Sequence, residues 1–325
     1  MNLGGPDSPQ AVRPFLYNLF SDPAIIGLPG PLRLPLARVL AWRREKVARG
    51  IYARLGGASP LLANTEAQAR ALEAVLGPGY RCFIAMRYWH PLTAEAVKEV
   101  KEWAPDDITL LPLYPQFSTT TTGSSLAAWQ AAVQQLGFAV PTRAVRSYPT
   151  ASGFIAVLAA SITETLDRAV PETAVLRLLF SAHGLPLKIV RAGDPYPRQV
   201  ESTAVAVVHA LGLPGLDWRV CYQSRVGPLA WLGPSVEEEV GRAGRDGVAI
   251  VVAPISFVSE HSETLVELDL DYRRLAERSG VPAYHRVPTV DTDPRFIAAL
   301  AELVRGRATE LPAAGDAVAL REAGS

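Results

Sequence analysis

Residues 175–186 read VLRLLFSAHGLP, a short apolar run that ends in a turn. A run of this length, bounded by Ser, Gly and Pro, predicts a buried strand. Along the chain such runs alternate with longer stretches of helical periodicity, which is typical of βα units that build parallel sheets. We therefore predict an α/β protein whose ligand lies beyond the carboxyl ends of its strands.

The alternation resolves into individual strands and helices. The predicted strands are Cys82–Met86, Ile108–Tyr114, Thr142–Tyr148, Val175–Ala182, Arg219–Gln223, Val248–Ile255 and Tyr284–Val287. The predicted helices are Leu62–Leu76, Ala94–Trp103, Ser124–Leu136, Ala151–Ala169, Arg198–Leu211, Ser235–Ala243, Glu260–Arg278 and Pro294–Arg305. A single core stops growing at about 250–300 residues, so a chain of 325 residues is expected to form two lobes. We place them at 1–149 and 150–307, with a disordered tail at 308–325.

The composition excludes several classes of function. Lys plus Arg and Asp plus Glu both total 32, so no overall field attracts nucleic acid. Two cysteines, Cys82 and Cys221, cannot build a zinc site or an iron–sulfur cluster. We find no nucleotide-binding glycine motif, no secretion signal and no spanning run, and we expect a cytoplasmic protein. The apolar stretch Leu28–Trp42 contains three prolines and predicts at most a short amphipathic segment.

His183 follows a predicted strand and precedes the turn Gly184-Leu185-Pro186. An imidazole held on such a turn points into the ligand region, where it can accept a proton or bind a divalent metal ion. The alternative is a structural histidine.

A second candidate element is acidic. Residues 260–271 contain five carboxylates and no Lys or Arg. On a helix Glu263, Glu267 and Asp271 form one stripe. The helix dipole explains acids in the first turn only, so Glu267 and Asp271 favour a cation or protons as the partner over a solvated face.

Several motifs resemble those of the ferrochelatase family. They are Ser181–Pro186, Ser259–Leu265, Asn2–Pro6, Tyr52 with Gly56-Gly57 and Ser59-Pro60, Met86–Tyr88, Pro112–Gln116 with Thr122–Ser125, and Tyr222–Gly227 with Trp231-Leu232. The resemblance implies two similar Rossmann-like, chelatase-type lobes, each with a four-stranded parallel sheet flanked by helices, and a porphyrin cleft between them. It also implies insertion of Fe²⁺ into protoporphyrin IX to form protohaem, with release of two protons, in haem biosynthesis.

The resemblance assigns roles to single residues. His183 and Glu263 are implied to be catalytic, and Glu267 and Asp271 are implied to join them in handling metal or protons. The implied substrate-binding residues are Tyr52, Arg87, Tyr88, Tyr114, Ser118 and Arg225. An Arg can pair with a propionate, and aromatic faces stack on the ring.

Two departures from the family pattern stand out. The family has an apolar strand before Asn-Leu-Gly-Gly-Pro, whereas here Met1 directly precedes Asn2, so we expect the first sheet to lack a strand. Some relatives carry a carboxyl-terminal [2Fe–2S] cluster, whereas residues 308–325 contain no cysteine. We therefore expect no cluster and no permanently bound cofactor.

Alternatives remain open at this level. Coproporphyrin III or a related tetrapyrrole could replace protoporphyrin IX, although Arg87–Pro91 resembles the protoporphyrin-using branch. A metal- or haem-binding carrier is the alternative outside enzymes, but it would be expected to have an export signal. We expect a monomer, with Leu32–Trp42 forming either the lip of the cleft or a peripheral membrane contact.

Overall fold

The computed structural model describes residues 1–169, 175–225, 227–306 and 309–310. The chain divides into two compact units. Unit 1 contains Met1–Ser147 and the residues from Leu300 onward, and unit 2 contains Tyr148–Ala299. The predicted division at 149/150 lies two residues away, but the predicted second lobe ran to 307 and so included residues that belong to unit 1. The predicted tail lies outside the described residues except for Thr309–Glu310.

Unit 1 combines helices with short strands. Its elements are α1 Val12–Phe20, α2 Gly30–Ala53, α3 Leu61–Leu76, α4 Thr93–Trp103, β1 Ile108–Leu110, a first π-helix Thr119–Gly123, α5 Ser124–Gln135 and β2 Thr142–Ala144. Strand β1 pairs in parallel with β2, and β2 pairs antiparallel with the final strand of the chain, Thr309–Glu310. The prediction of four parallel strands is therefore wrong for the described part of this unit.

The reason lies at the predicted strand Cys82–Met86, which forms only isolated bridges. The amide of Asn2 donates to Ala85 O at 3.1 Å, and the amino group of Met1 donates to Leu111 O at 2.8 Å. Met1 and Asn2 thus lie between residues 82–86 and the strand region 108–113. Next to Met1 is a cavity of about 600 Å³, lined by residues 79–85, 104–111 and faces of α3 and α4. Within the described residues, the backbone of 82–84 is not part of a paired strand.

Helix α2 is 24 residues long, so the prediction of a short segment is wrong. Pro31 lies in the first turn, where an N–H has no helical partner, so it is well tolerated. Pro35 removes one hydrogen bond, which the remaining length of the helix compensates. Among the described residues, no helix is long and apolar enough to cross a membrane.

Unit 2 has the predicted architecture. Its elements are α6 Ser152–Ala169, β3 Leu176–His183, α7 Leu187–Arg191, α8 Tyr196–Leu211, β4 Asp217–Gln223, α9 Val236–Asp246, β5 Ala249–Pro254, a second π-helix Glu263–Tyr272, α10 Arg273–Arg278, β6 Tyr284–Arg286 and the first part of α11 Pro294–Gly306. The four strands are parallel in the order β4-β3-β5-β6. Every residue of β5 is buried, as expected for a sheet covered on both faces.

The second π-helix corrects another prediction, because an α-helix was expected from Glu260 to Arg278. In a π-helix each N–H bonds to the carbonyl five residues back, an arrangement that is rare and often found at functional sites. Its first part contacts the end of β4. The side-chain amide of Gln223 donates from Nε2 to the backbone oxygen of Glu263 at 2.9 Å and to Glu267 Oε2 at 3.0 Å. The π-helix therefore stays next to the carboxyl end of the unit 2 sheet.

Candidate active site

His183 is the last residue of β3 and lies in register with Gln223 of β4. Glycine is required at position 184, because a Cβ there would lie 2.8 Å from the carbonyl oxygen of Gln223. The imidazole Nδ1 lies 2.6 Å from Gly184 O, which can only accept a hydrogen bond. This contact assigns the proton to Nδ1 and leaves a lone pair on Nε2. The side chain is 42% exposed, so the lone pair is accessible.

Glu263 begins the second π-helix and faces this imidazole. Its Oε1 is 3.6 Å from His183 Nε2, and its Oε2 is 3.8 Å from His261 Nε2. The gap of 3.6 Å is longer than a hydrogen bond. A lone pair and a carboxylate at this separation can share a proton or a divalent cation. The structure therefore brings His183 and Glu263 next to each other.

Sequence reasoning missed His261. His261 lies two residues before Glu263, and this proximity in sequence was the available signal. Neither helical nor strand periodicity distinguishes His261 from its neighbours. Burial lowers the pKa of His261, although the charges of Glu263 and Glu260 act in the opposite direction. Its Nδ1 is buried and has no partner within the described ranges. The ring packs edge-on against Phe257, with the ring centres 4.5 Å apart. Glu263 thus lies between two imidazoles, one accessible and one mostly buried.

Glu267 is held by donors from the end of β4. The amide of Ser224 donates to Oε1 at 2.9 Å, and the hydroxyl of Tyr272 donates to the same oxygen at 3.0 Å. The amide of Gln223 and the hydroxyl of Ser224 donate to Oε2. Burial and the charge of Glu263 raise the pKa of Glu267, and the hydrogen bonds from Ser224 and Gln223 only partly offset this. Both oxygens are therefore already engaged.

The predicted metal ligands are not gathered into one coordination sphere. Asp271 is exposed on the last turn of the π-helix. In the part of the chain that the structure describes, no three or more His, Cys, Asp or Glu side chains are arranged to hold a metal ion. His183 and Glu263 are the two predicted ligands that lie within 4 Å of each other.

Two of the predicted substrate-binding residues of unit 1, Arg87 and Tyr88, bind a buried carboxylate. Asp22 Oδ2 accepts from Arg87 Nη2 at 2.8 Å and from the hydroxyl of Tyr88 at 2.7 Å, and Ser124 also donates to it. Tyr88 has no exposed surface, so the structure corrects its prediction as a ring-gripping residue. An ion pair with Asp22 holds Arg87, whose side chain is 22% exposed.

The other predicted binding residues are distributed differently. Tyr52 is buried in the core formed by α1 and α2. Ser118 is 2% exposed and caps the first π-helix by accepting from the amide of Thr120, which contradicts its prediction as a binding residue. The hydroxyl of Tyr114 is buried, and burial raises its pKa. Arg225, directly after β4, stays exposed, with Nη1 3.8 Å from Glu238. Aromatic and hydroxyl side chains near strand ends also pack and cap, which explains these differences.

Comparison with known proteins gives concordant results. The family model described as ferrochelatase matches residues 1–308. The chain is 56% identical over 316 residues to the ferrochelatase of Caulobacter vibrioides, covering 96% of this chain and 90% of that one. It is 55% identical to the ferrochelatase of Phenylobacterium zucineum, covering 94% and 89% of the two chains. The ferrochelatase of Pelagibacter ubique is 45% identical, with coverages of 93% and 88%.

A solved structure resembles the chain in fold. It is SirB from Bacillus subtilis with Fe³⁺, which superposes with a TM-score of 0.53 over 74% of this chain and 88% of that one. The sequence identity is 14%, so the likeness concerns the fold alone.

Proposed function

We propose, on the premise that this chain belongs to the ferrochelatase family, that His183 and Glu263 insert ferrous iron into protoporphyrin IX. Members of this family are lyases of haem biosynthesis, and this chain is one of them. The observation that carries the residue assignment is the accessible Nε2 lone pair of His183, 3.6 Å from the Glu263 carboxylate.

The chemistry requires two bases. Two pyrrole N–H bonds break as the ring nitrogens bind Fe²⁺, so two protons leave for each iron that enters. His183 Nε2 takes one proton, because its other nitrogen already donates to Gly184 O. The carboxylate of Glu263 stabilises the resulting imidazolium and can receive the second proton. His261, mostly buried beside Glu263, keeps this carboxylate in place.

Glu267 and Asp271 continue the acidic face beyond Glu263. We assign them to the passage of protons or iron rather than to a fixed metal site. Gln223 supports this assignment, because its amide bridges the backbone of Glu263 and the carboxylate of Glu267. The raised pKa of Glu267 means that this carboxyl can hold a proton at a higher pH than an ordinary glutamate.

The test is turnover under anaerobic conditions. Purified protein, protoporphyrin IX and Fe²⁺ or Zn²⁺ are mixed, and loss of porphyrin fluorescence is followed. Catalytic loss supports the chelatase, whereas stoichiometric binding without turnover indicates a carrier. A parallel reaction with coproporphyrin III decides the substrate, and a higher kcat/KM with that porphyrin would overturn the choice of protoporphyrin IX.

His183→Ala tests the residue assignment in the same assay. Loss of a positioned general base lowers kcat by about 10²–10⁴-fold. Porphyrin binding, measured by fluorescence titration, is expected to stay within about threefold, because the side chain acts on the inner nitrogens. Normal turnover in this variant would remove His183 from the mechanism.

Helix α2 supports a peripheral membrane contact as a further part of the proposal. Leu32 and Trp42 are 62% and 63% exposed, and basic residues such as Arg33, Arg38 and Arg43 accompany them. Exposed apolar side chains combined with bases suit an anionic lipid surface. Co-sedimentation with phosphatidylglycerol vesicles is expected for the natural chain and reduced for Trp42→Ser. Absence of sedimentation of the natural chain would restrict α2 to a role within the protein.

A further inference from the structure

Four of the five carboxylates between Glu260 and Asp271 fall into two groups in the structure. Glu263 and Glu267 face His183 and the end of β4, as described above. Glu260 and Asp269 instead bind Arg286, the last residue of β6. Arg286 Nη1 donates to Glu260 Oε1 at 2.6 Å, and its Nε and Nη2 donate to the two oxygens of Asp269 at 2.7 Å each.

These contacts join both ends of the second π-helix to one rigid cation. Glu260 lies three residues before the helix begins, and Asp269 lies in its last part. The guanidinium is planar and 11% exposed, so its fork fixes the direction of each carboxylate. The amide of Thr289 also donates to Glu260 Oε1 at 3.1 Å. Burial acts to raise the pKa of Glu260, but the charge of Arg286 and the hydrogen bonds from Arg286, Thr264 and Thr289 together lower it.

A π-helix needs such support, because this geometry is rare and occurs mostly as single-turn bulges within α-helices. Here it extends over ten residues. Contacts on one side come from Gln223 and Ser224, which bind the face that carries Glu263 and Glu267. Contacts on the other side come from Arg286. The helix is therefore held between β4 and β6, and loss of either set would let it rotate or revert to an α-helix.

We propose that Arg286 is a positioning residue for metal insertion, which holds the π-helix in the register that keeps Glu263 3.6 Å from His183. This inference rests on the proposed function of that pair. Arg286 itself touches neither His183 nor Glu263 in the contacts that the structure describes. It acts through Glu260 and Asp269. Partners of this kind, one step removed from the reacting groups, typically change activity by about 10–100-fold when they are substituted.

Unit 2 offers a matched control. Arg177, near the start of β3, also binds two carboxylates, with Nε 2.7 Å from Asp217 and Nη1 3.0 Å from Asp246. Its side chain is 8% exposed, close to the value for Arg286. It lies at the amino end of the same sheet, far along β3 from His183. A Lys at either position keeps the charge but loses the planar guanidinium that reaches two carboxylates from fixed directions, so both variants weaken a buried contact with two acids.

The experiment compares Arg286→Lys and Arg177→Lys with the natural chain. Arg286→Lys is expected to lower kcat about 10–100-fold with KM for the porphyrin within about twofold, and Arg177→Lys is expected to keep kcat within about twofold. Both are expected to lower Tm by similar amounts. Asp269→Asn, a milder change on the same pair, should lower kcat in the same direction. Equal kcat losses in both Arg variants, or an unchanged kcat in Arg286→Lys, would overturn the proposal.

Hydrogen exchange gives a readout that does not depend on turnover. Amides of Glu263–Tyr272 are expected to exchange faster in Arg286→Lys and at the natural rate in Arg177→Lys. Unchanged exchange in Arg286→Lys refutes the positioning role even if the natural chain shows no turnover. Conversely, a natural chain without turnover together with faster exchange in Arg286→Lys would refute the proposed function while leaving the structural role of Arg286 supported.

Discussion

The sheets of the two units differ in how completely they are paired. In unit 2, β3 is eight residues long and lies between β4 and β5, with parallel pairing on both edges. In unit 1, β1 and β2 have three residues each, and the segment 82–86 forms only isolated bridges beside a cavity. A fully paired central strand holds its last residue in a defined place. That is the position of His183.

The polar residues at strand ends also differ in use. In unit 2 the end of β3 presents an accessible Nε2 to Glu263. In unit 1 the guanidinium of Arg87 and the hydroxyl of Tyr88 both donate hydrogen bonds to the buried carboxylate of Asp22. The side chain of His183 is thus 42% exposed, whereas Tyr88 is buried and Arg87 is paired with a buried carboxylate. Burial distinguishes the two sets of polar groups.

Glu263→Gln gives the largest expected effect and tests the chemical half of this comparison. The substitution keeps the shape of the side chain but removes its charge and replaces one acceptor oxygen with a donor NH2 group, so under the proposed mechanism kcat should fall about 10²–10⁴-fold. The free energy of unfolding should change by less than about 1 kcal/mol. The control is Glu277→Gln on α10, whose side chain is exposed. Full activity in Glu263→Gln would show that a carboxylate is not required.

Asp22→Asn tests whether the Asp22 cluster of unit 1 serves stability. The change leaves Arg87 without its anionic partner at a position where Asp22 is 2% exposed. Breaking a buried ion pair in this way costs about 3–5 kcal/mol. Urea denaturation should record that loss, while the exposed Asp106→Asn in the same unit should leave the midpoint unchanged. A stable Asp22→Asn protein with weakened porphyrin binding would instead assign this cluster to the substrate.

The smallest expected effect is on the free energy of unfolding, when a larger side chain is placed on a helix of each unit. Ala69 of α3 lines the cavity in unit 1, whereas Ala243 of α9 has no exposed surface in the core of unit 2. Ala69→Leu should raise the free energy of unfolding by about 1.5 kcal/mol, because the added side chain is buried in available space. Ala243→Leu should lower it by about 1–3 kcal/mol through overpacking. Equal losses in thermal denaturation would show that the cavity closes in solution.

Most of the unit 2 fold could be predicted, because each strand and helix there follows its own periodicity. The parallel orientation of the strands, the strand end at His183 and the run of acidic residues from Glu263 onward were predicted from the local sequence pattern. The π-helix could not be predicted, since the sequence pattern of Glu263–Tyr272 suits an α-helix equally well. Helix α2 was missed because three prolines counted as breakers, although Pro31 occupies a position where the missing N–H costs nothing.

The sequence by itself determined where the reactive groups stand along the chain. The strand and the turn at Gly184 are both predicted from consecutive residues, so the sequence alone indicates that His183 lies at the carboxyl end of a strand. Only the tertiary structure decided which carboxylates remain available. Arg286 neutralises Asp269 across 17 residues of sequence, and Asp22 binds Tyr88 across 66. Burial and ion pairing depend on groups brought together by folding, so these assignments required the tertiary structure.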